Sequence, residues 1–356
     1  MTPTQLQTFF KRWSEQGMAL VLASVYETEG STYSKAGAQM LITGDGDFQG
    51  MLSGGCLEGD LAERARAVLE SGTPQTVTYD LGQNDEELWG LGVGCDGLMR
   101  IFLQPVTPGN QYEPFATMCK AYEGLTEQVA ATVLESGIDE LVAGSSLVTV
   151  DGGVAFSDID QRYAQEIQAE AGTALLQRQS KTATIAVDDG DVTILLSVLQ
   201  PPPRILVLGA GLDAEPVVRL SSELGWRVTV QDHRPAYIES GDFAVAEQVH
   251  CVPVAEVTTE ISLQQFAAAI VMSHHLASDR QYLKQLAATD IGYIGLLGPR
   301  DRRKRLLEEL GEDAERLLPR LHGPAGLDIG GRGPASIALS IVAEIHQDLL
   351  RAEGHL

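Results

Sequence analysis

The chain has 356 residues, with 49 acidic against 25 basic side chains and a formal net charge of −24. So acidic a surface repels phosphate polyanions and argues against nucleic acid as a partner. No apolar run reaches the roughly 18 residues of a membrane span, and residues 1–13 lack the apolar stretch of a signal peptide, so a soluble cytoplasmic protein is expected.

The length suits two domains. Residues 6–16 have the spacing of a short amphipathic helix, and 19–26 are apolar and β-rich. Residues 39–43 and 48–52 flank Asp45-Gly46, a hairpin signal. Residues 57–71 repeat apolar side chains at helical spacing through Leu57, Leu61, Ala65, Val68 and Leu69. Gly72-Thr73-Pro74 stops that helix, and 76–81 and 98–104 return as strands around a glycine-dense segment. Beyond Tyr112 come a helix, a strand at 129–134, a hairpin at Asp151-Gly152-Gly153, a helix over 161–179 and strands at 182–187 and 192–199. No internal repeat is visible. The expected fold is an N-terminal mixed-sheet α/β domain over 1–200, the stiff linker Pro201-Pro202-Pro203, and a Rossmann-like doubly wound parallel sheet over 204–356. Residues 1–200 hold 28 acidic and 10 basic side chains, the remainder 21 and 15, so the second domain is the less hostile host for an anionic cofactor.

The Rossmann expectation rests on a strand at 204–208 that runs into Gly209-Ala210-Gly211-Leu212-Asp213-Ala214. Gly209 permits the tight turn, Gly211 lets backbone approach a pyrophosphate, and Ala214 lets the helix pack on the strand. The helix start offers unpaired N–H groups. Asp232 ends the next strand, where a carboxylate can accept from ribose hydroxyls. Asp213 is discordant, because it brings negative charge to the phosphate position. A Rossmann sheet that binds no nucleotide carries the same pattern. His274 and His275 follow the strand at 267–272, where they either face the crevice or cap a helix. Arg300, Arg302 and Arg303 either bind an anion or form a solvated helix face. A long amphipathic helix at 334–350 ends the pattern.

None of the four cysteines forms a C-x-x-C pair. Two of them are framed by glycine. Ser53-Gly54-Gly55-Cys56-Leu57-Glu58-Gly59 leads into a helix, where consecutive N–H groups form an anion nest and lower a thiol pKa. Gly92-Val93-Gly94-Cys95-Asp96-Gly97 is a second such segment. Two such thiols in one domain suggest soft-metal or sulfur handling. Cys119 and Cys251 stand in ordinary contexts.

These motifs resemble the XdhC/CoxI family. The resemblance is carried by residues 27–40 with Gly30-Ser31 and Gly37, by Ser53-Gly54-Gly55-Cys56 with Glu58, and by Trp89-Gly90-Leu91-Gly92-Val93-Gly94-Cys95. The second half adds the Gly209 fingerprint, Met272-Ser273-His274, Tyr293-Ile294-Gly295-Leu296-Leu297-Gly298, His322-Gly323-Pro324-Ala325-Gly326-Leu327-Asp328-Ile329-Gly330 and Ala343-Glu344-Ile345. Ser34-Lys35 and Leu212-Asp213 depart from the family pattern. The resemblance implies a homodimeric maturation factor that binds molybdenum cofactor of the molybdopterin type. It would support sulfuration of that cofactor with a cysteine desulfurase and its insertion into the apo-enzyme of a molybdenum hydroxylase such as xanthine dehydrogenase. It places Gly54, Gly55, Cys56, Glu58 and Cys95 at the cofactor, with Cys56 and Cys95 touching molybdenum or its sulfur. Gly209, Gly211, Ala214 and Asp232 would hold NAD(P), a cofactor nucleotide or nothing. The competing reading is an NAD(P)-dependent oxidoreductase with His274 as acid–base group.

Overall fold

The computed structural model describes residues 2–80, 97–187 and 190–352, and the chain divides into two units, Met1–Pro201 and Pro202–Leu356. In the first unit, helix α1 (Pro3–Ser14) precedes strands β1 (Leu20–Glu29), β2 (Gln39–Thr43) and β3 (Phe48–Gln49), helix α2 (Glu58–Ser71), and strands β4 (Gln75–Asp80) and β5 (Leu98–Val106). The series then begins again. Helix α3 (Phe115–Glu123) precedes β6 (Gln128–Ser136), β7 (Ser146–Val150) and β8 (Gly153–Ser157), helix α4 (Gln161–Gln177), and β9 (Lys181–Val187) and β10 (Gly190–Leu199).

The two antiparallel sheets share one topology. Their strand orders are β3-β2-β1-β5-β4 and β8-β7-β6-β10-β9. Residues 3–106 and 115–199 are therefore two passes through the same helix–three strands–helix–two strands plan. This corrects the expectation of no internal repeat. The turn at Asp151-Gly152 joins β7 to β8 as predicted, with φ of 51° and 78°, the left-handed pair that a two-residue hairpin requires.

Strand alternation sets the layers. In β1, Val21, Ala23 and Val25 pack with Leu61, Ala65 and Val68 of α2. Leu20 and Leu22 point the other way, into a core shared by Leu6, by Phe115 and Met118 of α3, and by Ala130 and Leu199 of the second sheet. In β6, Val129, Ala131 and Val133 pack with Tyr163, Ile167 and Ala171 of α4. Each sheet thus carries one helix on its outer face, while the inner faces share a core with α1 and α3.

The second unit is a six-stranded parallel sheet of order β13-β12-β11-β14-β15-β16. Its strands are β11 (Arg204–Leu208), β12 (Arg227–Gln231), β13 (Gln248–His250), β14 (Ala268–Val271), β15 (Tyr293–Leu296) and β16 (Leu321–His322). The helices are α5 (Ala214–Glu223), α6 (Pro235–Ser240), α7 (Val257–Glu260), α8 (Leu276–Leu286), α9 (Arg300–Leu310), α10 (Glu312–Leu317) and α11 (Pro334–Ala352). Ile205 and Val207 face Val217 of α5 and Ile341 and Ile345 of α11. Leu206 and Leu208 face Tyr282 and Leu286 of α8 and Leu306 of α9. Helices on both faces make this the doubly wound sheet expected from the sequence. The edge strands β13 and β16 were not anticipated.

Ile341 is fully buried between α11 and the sheet. Ile341→Ala is expected to destabilise the protein by about 2–5 kcal/mol, the transfer and cavity terms together. Denaturant unfolding followed by circular dichroism measures it.

Candidate functional site

In the first unit the two repeats differ at two connections. Residues 50–57 join β3 to α2, whereas residues 158–160 suffice between β8 and α4. Residues 81–97 join β4 to β5, whereas residues 188–189 join β9 to β10. The longer connections belong to the first repeat and carry Cys56 and Cys95. Cys95 lies outside the described residues, so its position beside Cys56 is an expectation from sequence.

The segment 50–57 is built around a carboxylate. Glu58 opens α2 and its side chain is only 3% exposed. Its Oε1 accepts from the N–H groups of Leu52 (2.9 Å) and Ser53 (3.0 Å). Its Oε2 accepts from the Ser53 hydroxyl (2.6 Å) and from the N–H groups of Gly55 (3.0 Å) and Leu57 (3.2 Å). Burial pushes the Glu58 pKa up, but these donors outweigh it and hold the group below the ordinary carboxylate value. The anion nest expected from the glycines exists, and its resident is this internal carboxylate. Within the turn from Leu52 to Leu57, the N–H groups of Gly54 and Cys56 have no protein acceptor among the described residues.

Glycine is required here for space as well as φ. A Cβ on Gly50 would lie 2.4 Å from the Met40 Cα, and one on Gly54 would touch the Tyr33 ring at 3.3 Å. Gly55, at φ 111°, has nothing within 4 Å of that direction, so space is open at Gly55 itself. The Cys56 side chain is half-buried and packs against the core of the first sheet, while Met51 on this segment and Tyr33 on the neighbouring loop are exposed. The Ser34 hydroxyl donates to the Met51 carbonyl at 3.3 Å and ties the two loops together. Gly97 packs against the Glu29 and Ser31 carbonyls of the same neighbouring loop.

The other described cysteines lie outside glycine-framed segments. Cys119 packs against the inner core, and burial, with the nearby Glu123 and Glu113 charges, pushes its thiol up to about 12. Cys251 is exposed outside any glycine loop. Among the described residues no three His, Cys, Asp or Glu side chains gather as a metal cage.

In the second unit, Gly209 turns with φ 124°, and a Cβ there would meet the Met272 carbonyl oxygen at 2.5 Å. Ala214 is buried against the sheet. Asp232 is fully buried, but its carboxylate is already engaged. It accepts from the Ala210 N–H (2.8 Å) and from the Arg234 N–H (2.9 Å), Nε (2.9 Å) and Nη2 (2.7 Å). Arg234 also stacks on Tyr237 at 3.8 Å and reaches the Ser273 carbonyl at 3.3 Å. The group that sequence reading assigns to ribose hydroxyls thus serves as a structural acceptor between β11 and β12. Above Gly211, the His274 Nε2 pairs with Asp213 at 2.7 Å across the ends of β11 and β14. His274 adopts φ 57°. His275 caps α8 through its Nδ1, which lies 3.0 Å from the Ser278 hydroxyl and accepts from the Ser278 N–H at 3.4 Å. Arg302 is committed to the buried Asp279 at 3.0 Å through its Nε, so it belongs to the fold.

Sequence reasoning missed the clamping role of Glu58 and the Arg234 plug. Both had a local signal. A glutamate directly after a Ser-Gly-Gly-Cys-Leu turn can reach back to its N–H groups, and Asp-x-Arg at a strand end favours an internal pair.

A duplicated antiparallel unit with a glycine-framed thiol, followed by a Rossmann sheet with an internally paired crevice, defines a class of two-unit α/β proteins. The chain belongs to the XdhC/CoxI family. A family model described as XdhC and CoxI family matches residues 13–80, and one described as XdhC Rossmann domain matches residues 205–345. The chain is 31% identical over 327 residues to a Bacillus subtilis protein named as a probable xanthine dehydrogenase subunit, covering 92% of each. It is 22% identical over 340 residues to the molybdenum cofactor insertion chaperone PaoD of Escherichia coli, covering 95% of this chain and 86% of that one. A crystal structure of a xanthine dehydrogenase from Bacillus halodurans superposes with a TM-score of 0.77 at 28% identity, covering 99% of this chain and 96% of that one.

Glu58→Gln replaces an all-acceptor group by one that presents a donor, and is expected to cost about 1–3 kcal/mol and to speed alkylation of Cys56. Because the folded state lowers the Glu58 pKa, its stabilising contribution is present above the ordinary carboxylate range and lost as pH falls through the lowered value. The stability gap between wild type and variant should therefore narrow on acidification in urea titrations. Arg234→Met leaves Asp232 buried without its cation. A loss of about 2 kcal/mol is expected, below the full cost of breaking a buried pair because Arg234 is partly exposed, again read from urea unfolding.

Proposed function

We propose that this chain is a maturation factor for a molybdenum hydroxylase of the xanthine dehydrogenase type, with molybdenum cofactor as its cargo. The observation that carries this reading is the Cys56 loop, a half-exposed thiol between glycines with two unused N–H groups, held in shape by a buried carboxylate. These residues fit the cargo. A soft sulfur suits molybdenum and its sulfur ligands better than a hard oxygen. Unpaired N–H groups at Gly54 and Cys56 suit an anionic edge. The missing side chain at Gly55 gives a bulky ligand room. The cargo brings its own redox chemistry, and the protein binds it, orients it and limits its exposure to water.

Cys56 would contact the metal's sulfur ligands, with Cys95 as a second thiol. Sulfuration would require a cysteine desulfurase as sulfur donor, and delivery would require docking to the apo-hydroxylase. The relatives support this role through their names, one a probable xanthine dehydrogenase subunit and another a molybdenum cofactor insertion chaperone. A cytoplasmic homodimer is the form proposed, and no helix among the described residues is long and apolar enough to cross a membrane. The competing oxidoreductase draws on the Rossmann sheet and His274. It is disfavoured by Asp232, whose acceptors are filled from within, and by the Asp213 carboxylate at the phosphate position.

Cys56→Ser and Cys95→Ser, purified from cells that make the cofactor, are expected to retain about a tenth or less of the wild-type pterin, the equivalent of some 1.4 kcal/mol in affinity. Cys119→Ser and Cys251→Ser should retain it in full. The assay is release and fluorescence quantitation of the pterin, with circular dichroism as folding control. Equal content in all variants, or NAD(P)(H)-linked turnover by a protein that carries no pterin, contradicts the reading.

A further inference from the structure

The loop beside the Cys56 segment brings an aromatic ring to it. Residues 30–38 join β1 to β2, and their backbone is fixed. Gly37 turns with φ 90°, its N–H donates to the Val25 carbonyl at 2.8 Å, and the Val25 N–H donates to the Ala38 carbonyl at 2.9 Å. Within the loop the Thr32 hydroxyl donates to the Ser34 carbonyl at 2.8 Å and accepts from the Lys35 Nζ at 3.3 Å. Tyr33 therefore sits between two residues whose side chains are tied down, one of them to Met51 of the cargo segment.

One edge of the Tyr33 ring lies over Gly54. Its Cδ2, Cε2 and Cγ atoms are 3.3, 3.4 and 3.8 Å from the place a Cβ on Gly54 would occupy. The absent side chain at Gly54 is what lets ring and segment meet. The rest of the ring faces solvent, with Tyr33 61% exposed. Its hydroxyl makes no hydrogen bond among the described residues, so the ring is held by packing alone.

A single exposed aromatic is ordinary on a protein surface. The duplicated plan supplies the comparison that sets this one apart. Residues 137–145 join β6 to β7 at the same length, with Gly137 in the place of Gly30 and Gly144, at φ 93°, in the place of Gly37. The backbone bonds recur too, from the Gly144 N–H to the Val133 carbonyl and from the Val133 N–H to the Ser145 carbonyl, both at 2.8 Å. The position that matches Tyr33 holds Glu140, whose carboxylate lies 4.0 Å from Arg162. No aromatic residue occurs in 137–145. The loop thus folds without a ring, and the ring occurs in the repeat that carries a glycine-framed thiol beside it.

A tyrosine costs little to order, because only two side-chain angles are fixed, and its face packs on a flat ring whatever that ring's substituents. The N–H groups of Gly54 and Cys56 on the adjoining segment suit an anionic group. A ligand that uses both loops needs a ring system joined to an anionic, sulfur-bearing end. We propose, resting on the maturation reading above, that Tyr33 is the stacking platform of the cargo site: its ring packs on the ring system of the cargo while the sulfur-bearing end lies at Cys56.

The test uses full-length protein purified from cells that make molybdenum cofactor. The wild type is compared with Tyr33→Phe, which keeps the ring, and with Tyr33→Leu and Tyr33→Ala, which remove it. Loaded protein is diluted, and the pterin still bound is quantified by fluorescence over time. Tyr33→Phe should release it at the wild-type rate. Tyr33→Leu and Tyr33→Ala should release it about tenfold faster, the scale of one lost ring stack. A second readout separates a platform from a brace. In cofactor-free protein, Cys56 of Tyr33→Leu should alkylate at the wild-type rate, because Glu58 rather than Tyr33 shapes the segment. Altered alkylation of empty Tyr33→Leu assigns Tyr33 to the shape of the loop and overturns the proposal. Wild-type release from Tyr33→Leu, or fast release from Tyr33→Phe, also overturns it. The two readings fail distinguishably. A wild type that carries no pterin ends the maturation reading and the platform with it. Wild type and Tyr33→Leu equally loaded and equally slow to release end the platform alone.

Discussion

The shape of the cargo loop depends on one buried carboxylate. A run containing Gly54 and Gly55 has little conformational preference of its own, and a thiol on such a run would have no fixed address. Glu58 supplies one by gathering four backbone N–H groups and the Ser53 hydroxyl around its two oxygens. The negative charge sits at the start of α2, where the helix dipole also favours it. What remains without a protein acceptor are the Gly54 and Cys56 N–H groups, beside a half-buried thiol that also packs against the core of the first sheet. Positioning and exposure come from the same contact, so the loop can be open without being shapeless.

The duplication explains where this loop could arise. Two sheets of the same strand order stand in one unit, each with a helix on its outer face. In the second repeat the connections are short, and α4 starts directly with Asp160 accepting from the Arg162 N–H at 2.9 Å. In the first repeat the equivalent connections are longer and carry the glycine-framed cysteines. The strands and outer helices are alike in plan, so stability resides in the shared scaffold, and the chemistry proposed for the protein sits on what one repeat adds to it. The Rossmann unit shows the reverse economy. Its fingerprint turn keeps the glycines that the backbone needs, while Asp232, Arg234, Asp213 and His274 satisfy one another.

Much of this was legible in the sequence, because much of it is local. Alternation in β1 and the strand–glycine–helix order at Gly209 are short-range signals, and the elements formed within a few residues of their predicted bounds. The edge strands β13 and β16 are only 3 and 2 residues long, too short for any periodicity to show. The repeat is invisible in sequence because strands of the two sheets share alternation rather than residues, and because the longer connections of the first repeat break the register. Asp232 was placed correctly at the end of β12, but its direction depends on Arg234 folding back over it, a choice made by side-chain pairing rather than by the strand. Glu58 was singled out as part of the site, whereas its role as the loop's own anion depends on which way five donors point.

The central claim is that the cargo contacts the Cys56 thiol. Differential alkylation followed by peptide mass spectrometry, on cofactor-loaded and cofactor-free protein of measured pterin content, tests it most directly. The account predicts that loading protects Cys56 from alkylation while Cys251 labels equally in both states. Equal labelling of Cys56 in loaded and empty protein would contradict it.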